Sequence, residues 1–174
     1  MKVRKIYTQK ISKDLLNSII LLKKSHWNFD LKSQFTWFKN NCFKNDIHFL
    51  CFIKDKLVGY GHLGVRTFFI GKKNNINNKF KYILYRTLIV NKDYRKKGIA
   101  TKIEISINRY LEKIQKNAFL ITKKKTINFH KKHGWLPIKK SNFKIIDHKN
   151  TLHGMMRPKM KNIMSKKFTL YYDK

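Results

Sequence analysis

The most informative segment of this chain is Val90-Asn91-Lys92-Asp93-Tyr94-Arg95-Lys96-Lys97-Gly98-Ile99-Ala100. An apolar run from Tyr82 to Val90 leads into it, which favours a buried strand. From its end onward, apolar residues recur with helical spacing at Ile99, Ile103, Ile107, Tyr110, Leu111 and Ile114. The segment therefore predicts a strand, a tight turn and a helix, in that order.

The predicted turn is suited to binding an anion. Its backbone amides and the N-terminus of the helix carry partial positive charge, and Gly98 has no side chain that would block approach. Arg95, Lys96 and Lys97 add full charges beside it. An ordinary helix start with a basic first turn is the alternative, but lysine at that place opposes the helix dipole. The turn therefore favours a pyrophosphate site.

Two common phosphate-binding motifs do not fit this turn. A Walker loop requires a lysine after its second glycine, whereas Lys97 precedes the only glycine here. The dinucleotide fingerprint requires three glycines, and this segment has only Gly98. The segment from Arg95 to Ala100 instead resembles the pyrophosphate turn of the GNAT acetyltransferases.

A second segment strengthens this resemblance. Residues 117–122 have the pattern of a buried strand, and residues 126–135, Thr-Ile-Asn-Phe-His-Lys-Lys-His-Gly-Trp, follow. This stretch is similar to the GNAT helix that ends in aromatic-Tyr-x-x-x-Gly-aromatic. Gly134 is expected at the helix C-terminus with positive φ, and Trp135 at the start of a strand. The sequence Gly-Trp-Leu-Pro from Gly134 also resembles the aminoglycoside 2'-N-acetyltransferase branch.

The resemblance implies the fold and the co-substrate. It implies an α+β protein whose central mixed sheet splays in the middle and is flanked by helices, with residues 1–174 forming one domain. It further implies that acetyl-CoA binds in the opening of the sheet, with its pantetheine arm on the amides of Leu88, Ile89 and Val90. Its pyrophosphate is expected at Arg95, Lys96, Lys97, Gly98, Ile99 and Ala100.

The catalytic positions depart from the family pattern. His130 stands where family members often have a tyrosine that protonates the leaving thiolate, which makes it the candidate general acid. The alternative is that His130 is a polar helix residue without a catalytic role. Arg86 and Thr87 occupy the positions where a glutamate base is often found, and neither can act as a base. His62, on the neighbouring predicted strand, is a candidate base acting through water, with a purely structural histidine as the alternative.

Hydrophobic patterns in the rest of the chain predict the other helices and strands and their order. Ser12 and Asp30 are expected to cap two helices, the first with an apolar face from Leu15 to Leu22. Strands are predicted at 2–7, 47–53, 57–70, 80–90, 117–122, 135–138 and 151–156, and later helices at 98–116 and 126–133. Residues 71–79 and 141–150 are predicted loops, and a helix and a short strand at 168–172 are predicted in the tail.

Composition bounds the class of protein and its partners. The chain has 174 residues and is 42% hydrophobic, without an apolar run long enough to span a membrane or a signal-peptide pattern, so we expect a cytoplasmic protein. Cys42 and Cys51 form neither a disulfide framework nor a metal motif, and buried thiols are expected. The net charge is +32, but the lysines are dispersed and only six residues are arginine. Non-specific, salt-sensitive binding to polyanions is expected, without a sequence-specific nucleic-acid site.

The small number of acidic residues indicates which class of amine could accept the acetyl group. Only nine acidic residues are present, and none lies between Asp55 and Asp93, which disfavours a polycationic aminoglycoside. A small-molecule amine that carries an acidic group, or an acidic macromolecule, fits the charge better. The sequence thus favours an acetyl-CoA-dependent N-acetyltransferase, and the alternative is a non-catalytic GNAT-like domain that binds CoA or RNA.

Overall fold

The computed structural model describes residues 1–69, 79–139, 143–145, 152–157 and 168–170. Their helices are α1 Lys13–Lys24, α2 Leu31–Asn41, α3 Ile99–Ile114 and α4 Ile127–Lys132. Their strands are β1 Lys2–Tyr7, β2 Ile47–Ile53, β3 Lys56–Phe69, β4 Lys79–Val90, β5 Ala118–Lys123, β6 Leu136–Pro137, β7 Phe143–Ile145, β8 Leu152–Met156 and β9 Phe168–Leu170. This confirms the α+β class, with a mixed sheet and flanking helices.

The chain divides into two compact units. Unit 1 comprises Met1–Gly64 and Arg86–Tyr110, and unit 2 comprises Val65–Tyr85 and Leu111–Lys174. Each unit is therefore built from two separate stretches of chain. The expectation that residues 1–174 form one domain stays a prediction.

In unit 1 the strands follow the order β1-β2-β3-β4. β1 and β2 pair antiparallel from Lys2 opposite Phe52 to Tyr7 opposite Ile47. β2 and β3 form the predicted hairpin, and a bulge between Cys51 and Phe52 shifts their register. As a result His48 lies directly opposite His62.

The first two helices of unit 1 begin at the predicted caps. Ser12 Oγ accepts a hydrogen bond from the Leu15 amide at 3.3 Å, and Asp30 Oδ1 accepts one from the Ser33 amide at 2.7 Å. These bonds satisfy donors that a helix N-terminus otherwise leaves unpaired. The apolar side chains of α1, α2 and the strands form a common core: Ile19, Ile20, Leu22, Phe38, Leu50, Leu57, Tyr60 and Ile89.

Two glycines of β3 let α3 approach the sheet closely. A Cβ at Gly59 would lie 2.6 Å from Ile99 Cγ2, and one at Gly61 would lie 2.8 Å from Ile103 Cγ2. Both positions are in unit 1, and a larger residue at either would push the helix away. The close packing fixes the start of α3, and with it the turn that joins β4 to α3.

Unit 2 contains parallel strand pairs that make the sheet mixed. β4 pairs parallel with β5, with Ile83 opposite Ala118 and Tyr85 opposite Leu120. β8 then pairs antiparallel with both β5 and β6. β9 pairs antiparallel with the end of β3 and parallel with β7. Among the described residues of this unit, fully buried side chains include Phe119, Trp135, Met155 and Met156.

Some boundaries differ from the sequence expectation. Phe143–Ile145 forms a strand inside the segment that was expected to be a loop, because its alternating apolar residues pair with β9. β6 begins at Leu136 and not at Trp135. The expected loop at 71–79 lies almost wholly outside the described residues, as does the expected helix of the tail. In the described part of the chain, no helix combines the length and apolar character needed to cross a membrane.

Candidate active site

The turn between β4 and α3 is held in one conformation by hydrogen bonds and contains two residues with positive φ. A 3-10 turn at Lys92–Tyr94 is capped by Asn91, whose Oδ1 accepts from the Asp93 amide at 3.0 Å. The Asn91 amide in turn donates to the Val58 carbonyl at 2.9 Å, which ties the turn to β3. Lys96 and Gly98 both adopt positive φ, at 61° and 71°. A positive φ at Lys96 is uncommon for a residue with a side chain and shows that the turn has a tightly defined conformation.

The amides at the start of α3 are available as anion donors. The Lys102 amide donates to the Gly98 carbonyl at 3.0 Å as the first bond of the helix. The amides of residues 98–101 therefore precede the intrahelical ladder and lie at the positive end of the helix dipole. A Cβ at Gly98 would meet nothing within 4 Å, so the glycine is required by its φ and leaves open space beside the amides. This geometry fits a pyrophosphate.

The basic side chains of the turn are exposed around these amides. Arg95, Lys96 and Lys97 are all exposed, and Lys97 Nζ lies 5.3 Å from the centre of the Tyr94 ring. Arg95 Nε donates to the Val90 carbonyl at 3.5 Å, which keeps the guanidinium near the end of β4. Ile99 is buried and anchors the helix, whereas Ala100 is half-buried. The turn thus presents three cations and a row of amides on one short segment.

The strand before the turn carries the other residues expected to hold the co-substrate. Ile89 is buried in the core of unit 1, and Leu88 and Val90 are half-buried. All three belong to unit 1, as does the turn from Arg95 to Ala100. The structure therefore brings the complete set of predicted acetyl-CoA contacts into one unit.

His62 lies in a buried polar network of unit 1. Its Nε2 donates to Asp46 Oδ2 at 3.2 Å, and both side chains are almost completely buried. The same Asp46 oxygen accepts from the Phe43 amide at 3.1 Å. Asp46 therefore fixes the orientation of the His62 ring.

His48 stacks on His62 and completes this network. The two rings lie 4.8 Å apart at 12°, and the nitrogens of His48 pair with Thr8 Oγ1 and with the Tyr60 hydroxyl, each at 2.8 Å. Burial lowers the pKa of His48 to about 3, with His62 acting in the same direction. His48 is therefore neutral at physiological pH.

A cysteine joins the histidines in a cluster that sequence spacing did not indicate. Ligand atoms of Cys42, His48 and His62 lie within 4.8 Å of one another, and all three residues are buried. The lone pairs of an imidazole lie in its ring plane, so two nearly parallel rings do not direct them at one point. Both His48 nitrogens also form hydrogen bonds with hydroxyl groups. The geometry of the cluster therefore suits a hydrogen-bond network better than a tetrahedral metal site.

His130 lies in unit 2, on α4. It is 7% exposed, and its ring meets those of Tyr85 and Phe129 edge to face, with centroid distances of 5.9 and 5.1 Å. Its carbonyl accepts from the His133 and Trp135 amides, which closes the helix before Gly134 turns the chain with φ of 84°. The expected positive φ at Gly134 is confirmed.

Sequence reasoning missed a second group of charged side chains in unit 1. Lys23 is 2% exposed and lies over the ring of Trp37, and Arg86 approaches the same ring. The sequence did contain an indication that Lys23 is buried, because it follows Ile19 and Ile20 by four and three residues and therefore lies on the same face of α1. A lysine on the buried face of an amphipathic helix is unusual enough to be singled out.

Comparisons with known proteins agree with this fold. Residues 13–135 match the model of the acetyltransferase (GNAT) family. The ribosomal-protein-S18-alanine N-acetyltransferase of Escherichia coli superposes with a TM-score of 0.63 at 12% identity, over 90% of this chain and 93% of that one. The PaiA N-acetyltransferase of Thermoplasma acidophilum, solved with coenzyme A, gives 0.56 at 14% identity over 90% and 99%.

An aminoglycoside acetyltransferase from an uncultured soil metagenomic sample, in complex with sisomicin, is also similar. It gives a TM-score of 0.56 at 15% identity, over 76% of this chain and 86% of that one. No curated protein sequence matches this chain. At these identities the structural likenesses establish the fold, and the family model establishes the family.

Proposed function

Because the chain belongs to the GNAT acetyltransferase family, we propose that it transfers an acetyl group from acetyl-CoA directly to a primary amine. The observation that carries this proposal is the turn from Arg95 to Ala100, with its orphan amides, open space at Gly98 and three exposed cations. The likeness to the PaiA enzyme solved with coenzyme A supports the choice of co-substrate.

The residues of unit 1 would bind and orient acetyl-CoA. The amides of residues 98–101 and the side chains of Arg95, Lys96 and Lys97 would hold the pyrophosphate. The backbone of Leu88, Ile89 and Val90 would hold the pantetheine arm. Acetyl-CoA supplies the thioester, and its carbonyl carbon accepts the lone pair of a neutral amine. The C–S bond then breaks, and the departing thiolate requires a proton.

We assign that proton to His130. An imidazolium group donates a proton near neutral pH more readily than the tyrosine often found at this position in the family, and becomes a neutral imidazole as the thiolate is protonated. His62 is the second proposed catalytic residue, as a base that takes the amine proton through water. Asp46 would favour the imidazolium that forms in this step, in the same way as it orients the ring.

A thermal-shift measurement with acetyl-CoA, free CoA and RNA tests the co-substrate. A ligand at 100 times its dissociation constant stabilises a fold by about 2.7 kcal/mol, or roughly 5–10 °C in a chain of this size. Gly98→Glu would place a carboxylate in the open space beside the amides and is expected to abolish the shift with acetyl-CoA. Gly98→Ala is the matched control, because it carries the same backbone strain without the charge.

Two outcomes separate the proposal from its alternative. A folded Gly98→Glu variant that binds acetyl-CoA as tightly as wild type would remove the turn as the binding site. The alternative, a non-catalytic domain that binds CoA or RNA, is favoured by the absence of a carboxylate at Arg86 and Thr87. Binding of acetyl-CoA without thiol release across a panel of amines would support that alternative.

A further inference from the structure

Two cations of unit 1 share one aromatic ring in the interior. Lys23 Nζ lies 3.4 Å from the centre of the Trp37 ring and 6.0 Å from that of Trp27. Arg86 Cζ lies 5.1 Å from the same Trp37 ring. Lys23, Trp37 and Arg86 are called the cationic cluster below. It joins the end of α1, the middle of α2 and strand β4.

Asn41 presents uncharged oxygens to Arg86, and Lys23 Nζ has no oxygen partner among the described residues. Within the described residues, Lys23 Nζ is buried and has no hydrogen-bond partner. Arg86 donates to the carbonyl oxygen of Asn41 at 3.0 Å and to its side-chain Oδ1 at 2.9 Å, both of which are uncharged. The cluster thus concentrates positive charge with hydrogen-bonding capacity left over at Lys23.

Stability does not explain a lysine at this position. The pKa of Lys23 is lowered from 10.5 to about 8, and burial is the largest cause. Of the two neighbours that also act on this pKa, Cys42 raises it and Arg86 lowers it. Contact with an aromatic ring is worth only about 0.5–2 kcal/mol, whereas removing an ammonium from water costs several kcal/mol. An apolar side chain of the same length would pack on Trp37 without this cost. A buried cation that destabilises the fold is typical of a binding site.

The position of Arg86 relates the cationic cluster to the proposed acetyl donor. Side chains two residues apart on a strand share a face, at a spacing of about 6.6 Å, so Arg86 and Leu88 lie on the same face of β4. Leu88 begins the stretch proposed to hold the pantetheine arm. An amine whose acidic group reached the cluster would therefore be anchored near that stretch.

We propose that the cationic cluster binds the carboxylate of the acceptor, and that the acceptor is an amine bearing a carboxylate, of the amino-acid class. This inference rests on the proposed acetyl transfer for the identity of the ligand. Lys23 supplies the ammonium donors, Arg86 supplies a planar guanidinium suited to carboxylates, and the Trp37 ring supplies an apolar surface beside them.

A direct binding experiment tests the cationic cluster without any turnover. The probes are 3-phenylpropionate and its amide, which match in shape and differ in charge. We expect 3-phenylpropionate to bind wild type and the amide to bind at least tenfold more weakly. Lys23→Met should lose at least tenfold in affinity for the acid only, whereas Lys24→Met, a change at the exposed neighbour on the same helix, should not.

The pH dependence gives a second readout on the unaltered protein. A bound carboxylate favours the charged ammonium and raises its pKa, so binding at and above about pH 8 should take up protons, and affinity should fall as the pH rises above about 8. Equal affinity for acid and amide, or an unchanged affinity in folded Lys23→Met, would overturn the inference. So would affinity for 3-phenylpropionate that stays constant up to pH 10.

Acetylation assays distinguish a failure of this inference from a failure of the proposed function. With L-phenylalanine and L-phenylalaninamide as acceptors, the preference for the free acid in kcat/KM should vanish in Lys23→Met. Acetyl transfer with the same preference in both proteins would overturn the cluster and leave the function standing. Lys23-dependent binding of 3-phenylpropionate, without thiol release from any amine, would support the cluster as an anion site and overturn the proposed function.

Discussion

Replacing Lys23 by methionine is expected to stabilise the ligand-free protein. The pKa of Lys23 falls from 10.5 to about 8, mainly because the ammonium is removed from water. Since one pKa unit corresponds to about 1.4 kcal/mol, the buried charge lowers the free energy of unfolding by about 3 kcal/mol near neutral pH. Methionine fills a similar volume on the Trp37 ring without a charge. We therefore expect Lys23→Met to gain about 2–3 kcal/mol at pH 7.

The pH dependence of this gain follows from proton binding. Between about pH 8 and pH 10.5 the folded protein has lost the Lys23 proton, whereas the unfolded chain retains it. Because the unfolded state then binds more protons, the stability of wild type rises with pH through this window. The destabilisation is fully present below pH 8 and is relieved as the pH approaches 10.5. The difference between Lys23→Met and wild type should narrow accordingly.

Urea unfolding at several pH values between 7 and 10 measures both effects. Lys24→Met is the matched control, because Lys24 is exposed on the same helix and its removal should change the free energy of unfolding by less than about 0.5 kcal/mol. A folded Lys23→Met protein that is less stable than wild type at pH 7 would refute the reasoning. A gain that stays constant up to pH 10 would show that the charge of Lys23 is not its source.

Three further outcomes are expected. Gly61→Ala should lower the free energy of unfolding by about 1–3 kcal/mol, measured by urea, because its Cβ would lie 2.8 Å from Ile103 Cγ2; an unchanged midpoint would show that α3 can move away freely. His130→Phe should lower kcat by about 10²–10⁴-fold with little change in acetyl-CoA affinity, and His130→Tyr should retain more activity; equal kcat for wild type and His130→Phe would remove His130 from the mechanism. Binding to short RNA or DNA, titrated at several salt concentrations, should weaken steeply with salt and show no sequence preference, and tight binding to one sequence at physiological salt would contradict this.

The elements that local sequence rules determine were predicted well. Ser12, Asp30 and Gly134 each act where short-range hydrogen bonding or a positive φ requires that residue type. The turn around Gly98 is local in the same sense, since its strand, glycine and helix are contiguous. Its role in binding acetyl-CoA stays a prediction, as do the roles of His130 and the other proposed site residues.

The buried network around His62 was not predictable, because it depends on one inserted residue. The turn of the hairpin pairs Ile53 with Lys56, and this register, continued without a break, would put His48 opposite Gly61. The bulge between Cys51 and Phe52 shifts the pairing by one residue and brings His48 opposite His62. A shift of one residue in the pairing reverses which side chains of the two strands share a face. No residue pattern in the sequence predicted the bulge that causes this shift.

Because each unit consists of two separate stretches of chain, the division affects both folding during synthesis and the outcome of proteolysis. Unit 1 needs residues 86–110 to be complete, and unit 2 resumes only at Leu111. We therefore expect the first 64 residues to complete their unit only after residues 86–110 have been synthesised. A single proteolytic cut or truncation between Val65 and Tyr110 leaves both units unfinished, so we expect neither to be recovered as a stable fragment.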